Sequence, residues 1–142
     1  MSLASKTIKT LMLGKIHFIG GIIVIIIFLL SGQYMDHNFN HLYDMELMNR
    51  ALFRAGHLYI LLFGLINVSL GTHFKTSETS IIKKIQLIGS VIIFMATFLV
   101  IYAFFTELPT EEIERPLTRI SLYLILLGVS VHGLISLVKI RS

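Results

Sequence analysis

Apolar residues in this chain fall in blocks rather than in alternation. Four blocks, at 16–35, 51–72, 85–106 and 117–138, run for twenty to twenty-two residues with at most one Asp, Glu, Lys or Arg apiece. A helix rising 1.5 Å per residue needs roughly 20 residues to cross a hydrocarbon core of about 30 Å, so each block predicts one membrane-spanning helix. Ile and Val, as in the run at 22–27, favour strands in water. Hydrocarbon instead demands that each segment satisfy its own backbone polar groups, and the helix does so. The spans leave no room for a separate soluble domain, and residues 1–142 read as a single integral membrane domain. The first span is too long, and lacks the small-residue cleavage pattern, to read as a signal peptide.

The polar connections set the expected orientation. Lys6, Lys9 and Lys15 precede the first span, Lys75, Lys83 and Lys84 separate the second from the third, and Lys139 and Arg141 follow the fourth. The other two connections are acidic, with Asp36, Asp44 and Glu46 in one and Glu107, Glu111, Glu112 and Glu114 in the other. Basic residues in short loops stay on the cytoplasmic side. Both termini are therefore expected in the cytoplasm, with Arg50, Arg54, Arg115 and Arg119 towards the outer face. Short loops make successive helices antiparallel neighbours, and the expected fold is all-α, an up-down-up-down bundle of four transmembrane helices. Gly20, Gly21, Gly64, Gly71, Gly89, Gly128 and Gly133 are the positions where helix backbones are expected to approach. Pro116 suits the first turn of the fourth helix, with Glu111, Glu112 and Glu114 complementing its dipole.

Composition supports this reading: 55% of the 142 residues are hydrophobic and 14% charged, against roughly a quarter charged in soluble domains. The net charge of +4 belongs to span ends rather than to one face, so nucleic acid is not an expected partner. The chain has no cysteine, which excludes disulfides, thiol nucleophiles and Cys-ligated metal. No nucleophile triad, phosphate loop or zinc-protease motif is present, and no catalytic residue is assigned.

The polar residues inside the spans carry what chemistry there is. Arg50, Arg54, His57, Leu61, Gly64, Asn67 and Gly71 form one stripe of the second helix, and Ser121, Ile125, Gly128, His132 and Ser136 one stripe of the fourth. With His17, Gly21 and Phe28 on the first, they suggest a polar interior between helices one, two and four, helix three serving mainly as support. Ionisable groups within a span face the bundle interior and mark functional candidates. Arg50, Arg54, His57 and Arg119 make up the expected polar site at the outer face, suited to a phosphate or carboxylate. Tyr102 or Ser121 is the expected hydrogen-bond partner of His57, and Asn67 and Ser69 are expected to bond between helices. His17 and His132 are candidate axial ligands for a b-type haem, at matching depth if the first helix starts well before Ile16. Met35, His37, His41 and Met45, with Met48, are a candidate copper site in the first acidic connection.

Ser31-Gly32-Gln33-Tyr34-Met35, Arg50-Ala51-Leu52-Phe53-Arg54-Ala55-Gly56-His57-Leu58-Tyr59 and Glu114-Arg115-Pro116-Leu117-Thr118-Arg119 carry a resemblance, over most of the chain, to small uncharacterised bacterial four-helix integral membrane proteins. It implies a bacterial inner membrane and points to the outer face, without implying a reaction. Lys15-Ile16-His17-Phe18 and His57 give a weaker resemblance to bacterial four-helix cytochromes b. That family places two histidines on helix four, whereas this chain has His132 alone and Thr118 and Arg119 in the outer region. The expected function is a non-catalytic accessory or binding subunit, with the lipid bilayer and a membrane partner or second copy as its contacts. A haem-binding electron carrier and a copper-handling protein are the alternatives.

Overall fold

The computed structural model describes residues 3–43, 45–74, 79–107 and 114–140, and the side chains among them except those of 3–11, 41 and 138–140. Among the described residues there is no strand. The elements are four helices, α1 (Leu3–Phe39), α2 (Leu47–His73), α3 (Ser80–Thr106) and α4 (Pro116–Ile140), with one 3-10 turn at Asn40–Leu42. Each contains a stretch long and apolar enough to cross a membrane: Met12–Phe39, Leu47–His73, Ser80–Thr106 and Pro116–Leu137. α1 has 37 residues, about 55 Å at the helical rise, so it outruns the bilayer and starts well before Ile16.

Two antiparallel hairpins make the bundle. In the first, α1 and α2 meet backbone to backbone: a Cβ at Gly21 would lie 2.6 Å from Val68 N and 2.7 Å from Gly64 O, and one at Gly71 2.6 Å from Phe18 Cα. In the second, a Cβ at Gly128 would lie 2.5 Å from Ile93 Cγ1 and 3.1 Å from Gly89 O. Small residues are the expected seam where lipid supplies no hydrophobic drive between helices and packing must do so. The hairpins join chiefly through α2 and α3.

Every helix turns a stripe with alternating spacings of three and four residues inward: His17, Gly21, Val24 and Ser31 on α1; Phe53, Ile60, Phe63 and Asn67 on α2; Gln86, Ser90, Ile93, Thr97, Val100 and Phe104 on α3; Thr118, Ser121, Ile125 and Gly128 on α4. That spacing averages 3.5 and marks the seam of long helices lying side by side. Opposite the seams the surface is apolar, with Phe98 72% exposed and Leu29 58%. In water so large an apolar surface would drive aggregation; in lipid it is the solvated face.

The place of α3 corrects the expectation from sequence. Within its most apolar stretch 44% of residues are buried, against 17% for α4 and 22% for α1. α3 is the centre of the bundle rather than its support, and it contributes polar groups to the interior.

The connection after α1 is held by one apolar side chain. Leu42 adopts φ 65°, a left-handed conformation costly for a residue with a Cβ. Its side chain is buried with Val24, Phe53, Ile60 and Phe104, and burying a leucine contributes about 2 kcal/mol, enough to offset the backbone cost. Asn40, at φ 45°, is a residue type that tolerates the same region. At the other connection of this end, the Glu107 carboxylate accepts from Leu117 N, from Thr118 N at 3.1 Å and from Thr118 Oγ1 at 2.6 Å. Glu107 therefore caps α4, satisfying amides that a helix start leaves unpaired. Glu114 is exposed, while Glu111 and Glu112 lie outside the described residues.

Candidate functional site

The end of the bundle with the acidic connections carries Arg50, Arg54, Arg115 and Arg119, and they fall at separate places. Arg50 Nη2 donates to Tyr43 O and Met45 O, both at 3.0 Å, and so fastens the turn before α2. Arg115 Nη1 donates to Leu52 O at 2.9 Å, tying the start of α4 to α2. Burial lowers the Arg115 pKa, with the Glu107 charge working against the shift. Arg54 and Arg119 are exposed, and their side chains make no ion pair or hydrogen bond among the described residues. Between α2 and α4 lies a recess of about 290 Å³, with Arg115, Arg119, Thr118, Tyr59 and Tyr123 among its lining and Leu52, Ala55 and Leu122 as apolar wall.

His57 does not join this recess. It turns to α1, where its ring stacks on Phe28 at 4.1 Å and Nδ1 lies 2.9 Å from Ser31 Oγ. Ser31 spends its own proton on Phe28 O at 2.8 Å, so Nδ1 is the donor. Gly32 leaves room beside the ring, since a Cβ there would lie 3.3 Å from His57 Cε1. Neither expected partner of His57 is used: Tyr102 is exposed, and Ser121 donates to Thr118 O. The expected outer site of Arg50, Arg54, His57 and Arg119 is thus spread over a turn, an exposed face, a contact with α1 and the recess.

The opposite end, marked by Lys15, Lys83 and Lys84, holds a buried polar network that crosses the bundle. Thr97 Oγ1 donates to Ile93 O at 2.7 Å. Asn67 Nδ2 donates to Thr97 Oγ1 at 3.0 Å and to Phe63 O at 2.9 Å, which uses both amide protons. Asn67 Oδ1 lies 2.8 Å from His17 Nδ1 and can only accept, so His17 carries its proton on Nδ1 and Nε2 is a bare lone pair. His17 is completely buried, and Nε2 has no hydrogen-bond partner. The interhelical role expected of Asn67 is met by α3, through Thr97; Ser69, which is exposed, accepts at its carbonyl from Thr72.

His17 and His132 meet, as matching depth requires, with ring centroids 6.4 Å apart and planes near perpendicular. Phe94 stacks on His17 at 4.4 Å. Phe74 closes a triangle with the two histidines, 6.0 Å from His17 and 5.5 Å from His132. A haem between the imidazoles would place its macrocycle in the plane midway between them, where the Phe74 ring stands. The residues as packed do not fit a haem. His132 Nε2 lies 3.2 Å from Ser90 Oγ, and the ring borders a cleft of about 680 Å³ lined by Ser69 and His73 of α2, Phe74 just after it, Gln86 of α3 and Ser136 of α4.

The candidate copper residues divide. Met35 and Met45 pack against the Leu42–Phe53–Phe104 cluster, as flexible apolar filler. Met48 and His37 are exposed, and the His41 side chain and Asp44 lie outside the described residues. No group of three His, Asp or Glu side chains gathers among the described residues.

Sequence reasoning missed Thr97, Ser90 and Phe74. The available signal was the inward spacing of α3, where Ser90 and Thr97 fall one heptad apart. Compared with models of known protein families, with curated proteins and with solved structures, the chain matches none.

Proposed function

We propose that the protein is a multi-pass bacterial inner-membrane protein with both termini in the cytoplasm, acting as a non-catalytic binding subunit that holds an anionic lipid headgroup at its outer end. The observation that carries this reading is the recess between α2 and α4, with Arg115 and Arg119 above an apolar wall and Tyr59 and Tyr123 beside them. Arginine presents a donor fork suited to phosphate oxygens, and tyrosine favours the membrane interface, where ring and hydroxyl meet different surroundings. Arg115 is already tied to Leu52 O, so Arg119 supplies the headgroup contact. A second copy of the chain, or another membrane protein, would share this face.

The test is lipid retention. Protein extracted in mild detergent should be stabilised by added phosphatidylglycerol or cardiolipin and not by phosphatidylcholine, and Arg119→Gln should remove most of the preference. Equal stabilisation by all three lipids, or an unchanged preference in Arg119→Gln, overturns the reading. Reporter fusions at both termini test the orientation.

A further inference from the structure

We propose that His17 and His132 form a two-coordinate site for a monovalent soft metal ion, Cu(I), reached through the cleft between α2 and α4 at the lysine end of the bundle.

The first observation is the lone pair of His17. A buried polar atom without a partner is rare and calls for an explanation such as an ion or an ordered water. The network Ile93 O, Thr97, Asn67, His17 leaves no freedom in the tautomer, because each donor is already committed. Nε2 is thereby held unprotonated in the neutral ring, as a metal ligand must be. An acceptor on the remote ring nitrogen is also what ligating histidines have, since it orients the ring and raises its basicity.

The second observation is independent of that network. His132, from another helix, brings its ring centroid to 6.4 Å from that of His17. Two imidazoles sharing one ion at about 2 Å from each nitrogen place their ring centres roughly 6 Å apart. Ser90 engages Nε2 of His132, leaving Nδ1 as the nitrogen for a ligand. Phe74, which stands where a macrocycle would lie, does not obstruct a bare ion.

The surroundings choose the ion. Among the described residues no carboxylate accompanies the pair, so with these residues alone a divalent ion would keep its full charge in a low-dielectric interior, at a cost that grows with the square of the charge. Phe74 and Phe94 cover the pair, which restricts further ligands. Imidazole suits copper, and Cu(I), a closed-shell monovalent ion, accepts two ligands alone. His73 stands at the mouth of the cleft, with Nδ1 donating to Ser69 O at 3.0 Å. Three imidazoles therefore step from exposed His73 through half-buried His132 to buried His17.

The experiment is a titration of the full-length protein in detergent with Cu(I) under reducing conditions, against a chromophoric Cu(I) chelator, with X-ray absorption on the loaded sample. The expected result is one tight equivalent with two nitrogen scatterers at about 2 Å. His132→Phe, at the half-buried wall, should weaken binding at least 100-fold in protein that remains monodisperse and helical. Asn67→Leu, which removes the support of His17, should weaken it 10- to 100-fold. His37→Ala should change nothing. Folded wild-type protein that takes up no Cu(I) overturns the proposal, as does binding unaffected by His132→Phe. Sulfur scatterers lost with Met45→Leu would likewise overturn it and place copper in the connection after α1.

Discussion

The same chemical change, Gly→Ala, should have opposite effects at two positions of this bundle. At Gly71 the added methyl would lie 2.6 Å from Phe18 Cα, and its nearest neighbours include backbone atoms of α1 that no rotamer change can move. Restoring ordinary contact requires α1 and α2 to part by about 1 Å, which forfeits packing along the whole seam. Overpacking of this kind costs about 1–3 kcal/mol, and a backbone obstacle belongs near the upper end. Alanine returns about 1 kcal/mol as the better helix former, so the net loss at Gly71 should be about 1–2 kcal/mol. At Gly133 a Cβ meets nothing within 4 Å, and only the propensity gain remains, up to about 1 kcal/mol. Gly21→Ala should resemble Gly71→Ala, and the double variant should cost less than the sum of the two, because helices already parted admit the second methyl easily. Unfolding of detergent-purified protein by steric trapping or in a graded denaturing detergent measures all four. If Gly71→Ala proves as stable as Gly133→Ala, backbone contact does not hold the first hairpin together.

Asn67→Leu should lower stability by about 2 kcal/mol in the same assay, since two interhelical bonds of about 0.6 kcal/mol each are lost and the His17 N–H is left buried without an acceptor; a change below half that value would show the network to be incidental. Glu107→Gln removes the charge from a carboxylate with three donors at the start of α4. Amide exchange at Leu117 and Thr118 should accelerate about 5-fold, the equivalent of about 1 kcal/mol for a lost cap, while amides in the middle of α4 stay protected. A reduced-minus-oxidised visible spectrum of protein expressed with ample haem should show no Soret or α-band. A stoichiometric haem signal would mean that Phe74 leaves the space between His17 and His132.

The spans were legible because one number, the bilayer thickness, fixes a run length that no soluble helix needs to imitate. The glycine contacts were legible in part: Gly64 and Gly71, one heptad apart on α2, and Gly21 on α1 meet as expected, whereas Gly133, also expected at a helix contact, has nothing within 4 Å. The start of α1 was not: Lys6, Lys9 and Lys15 argue for a polar tail, yet a helix propagates through lysine at little cost. The partner of His57 was missed for a geometric reason. The stripe containing His57, Gly64 and Gly71 is the α1-facing side of α2, so the hydrogen-bond partner of His57 is Ser31 of α1 rather than a polar group on α3 or α4. Continuing the α1 spacing His17, Gly21, Val24, Phe28 by one step reaches Ser31, and the signal was present in the sequence. The spacing of α3 marks Thr97 as inward but not as a partner of Asn67, because a single threonine in an apolar helix has the same appearance whether it bonds its own carbonyl or, as here, also accepts from Asn67.

Both recesses lie where α2 faces α4, and the hairpins account for that. α1 is locked to α2, and α3 to α4, by contacts that leave no space for a methyl group. Where α2 faces α4 no such seam exists, and open volume remains at both ends: about 290 Å³ beside Arg119 and about 680 Å³ beside His132. Binding sites in helix bundles are built where facing helices fail to close. The two ends differ in what their walls can hold. Arg119, His132 and the backbone seams are separable by mutation, so lipid preference, Cu(I) affinity and stability should respond to different substitutions. Loss of lipid preference in Arg119→Gln with Cu(I) affinity intact, and the converse in His132→Phe, is the pattern that two independent sites at opposite ends of the bundle require.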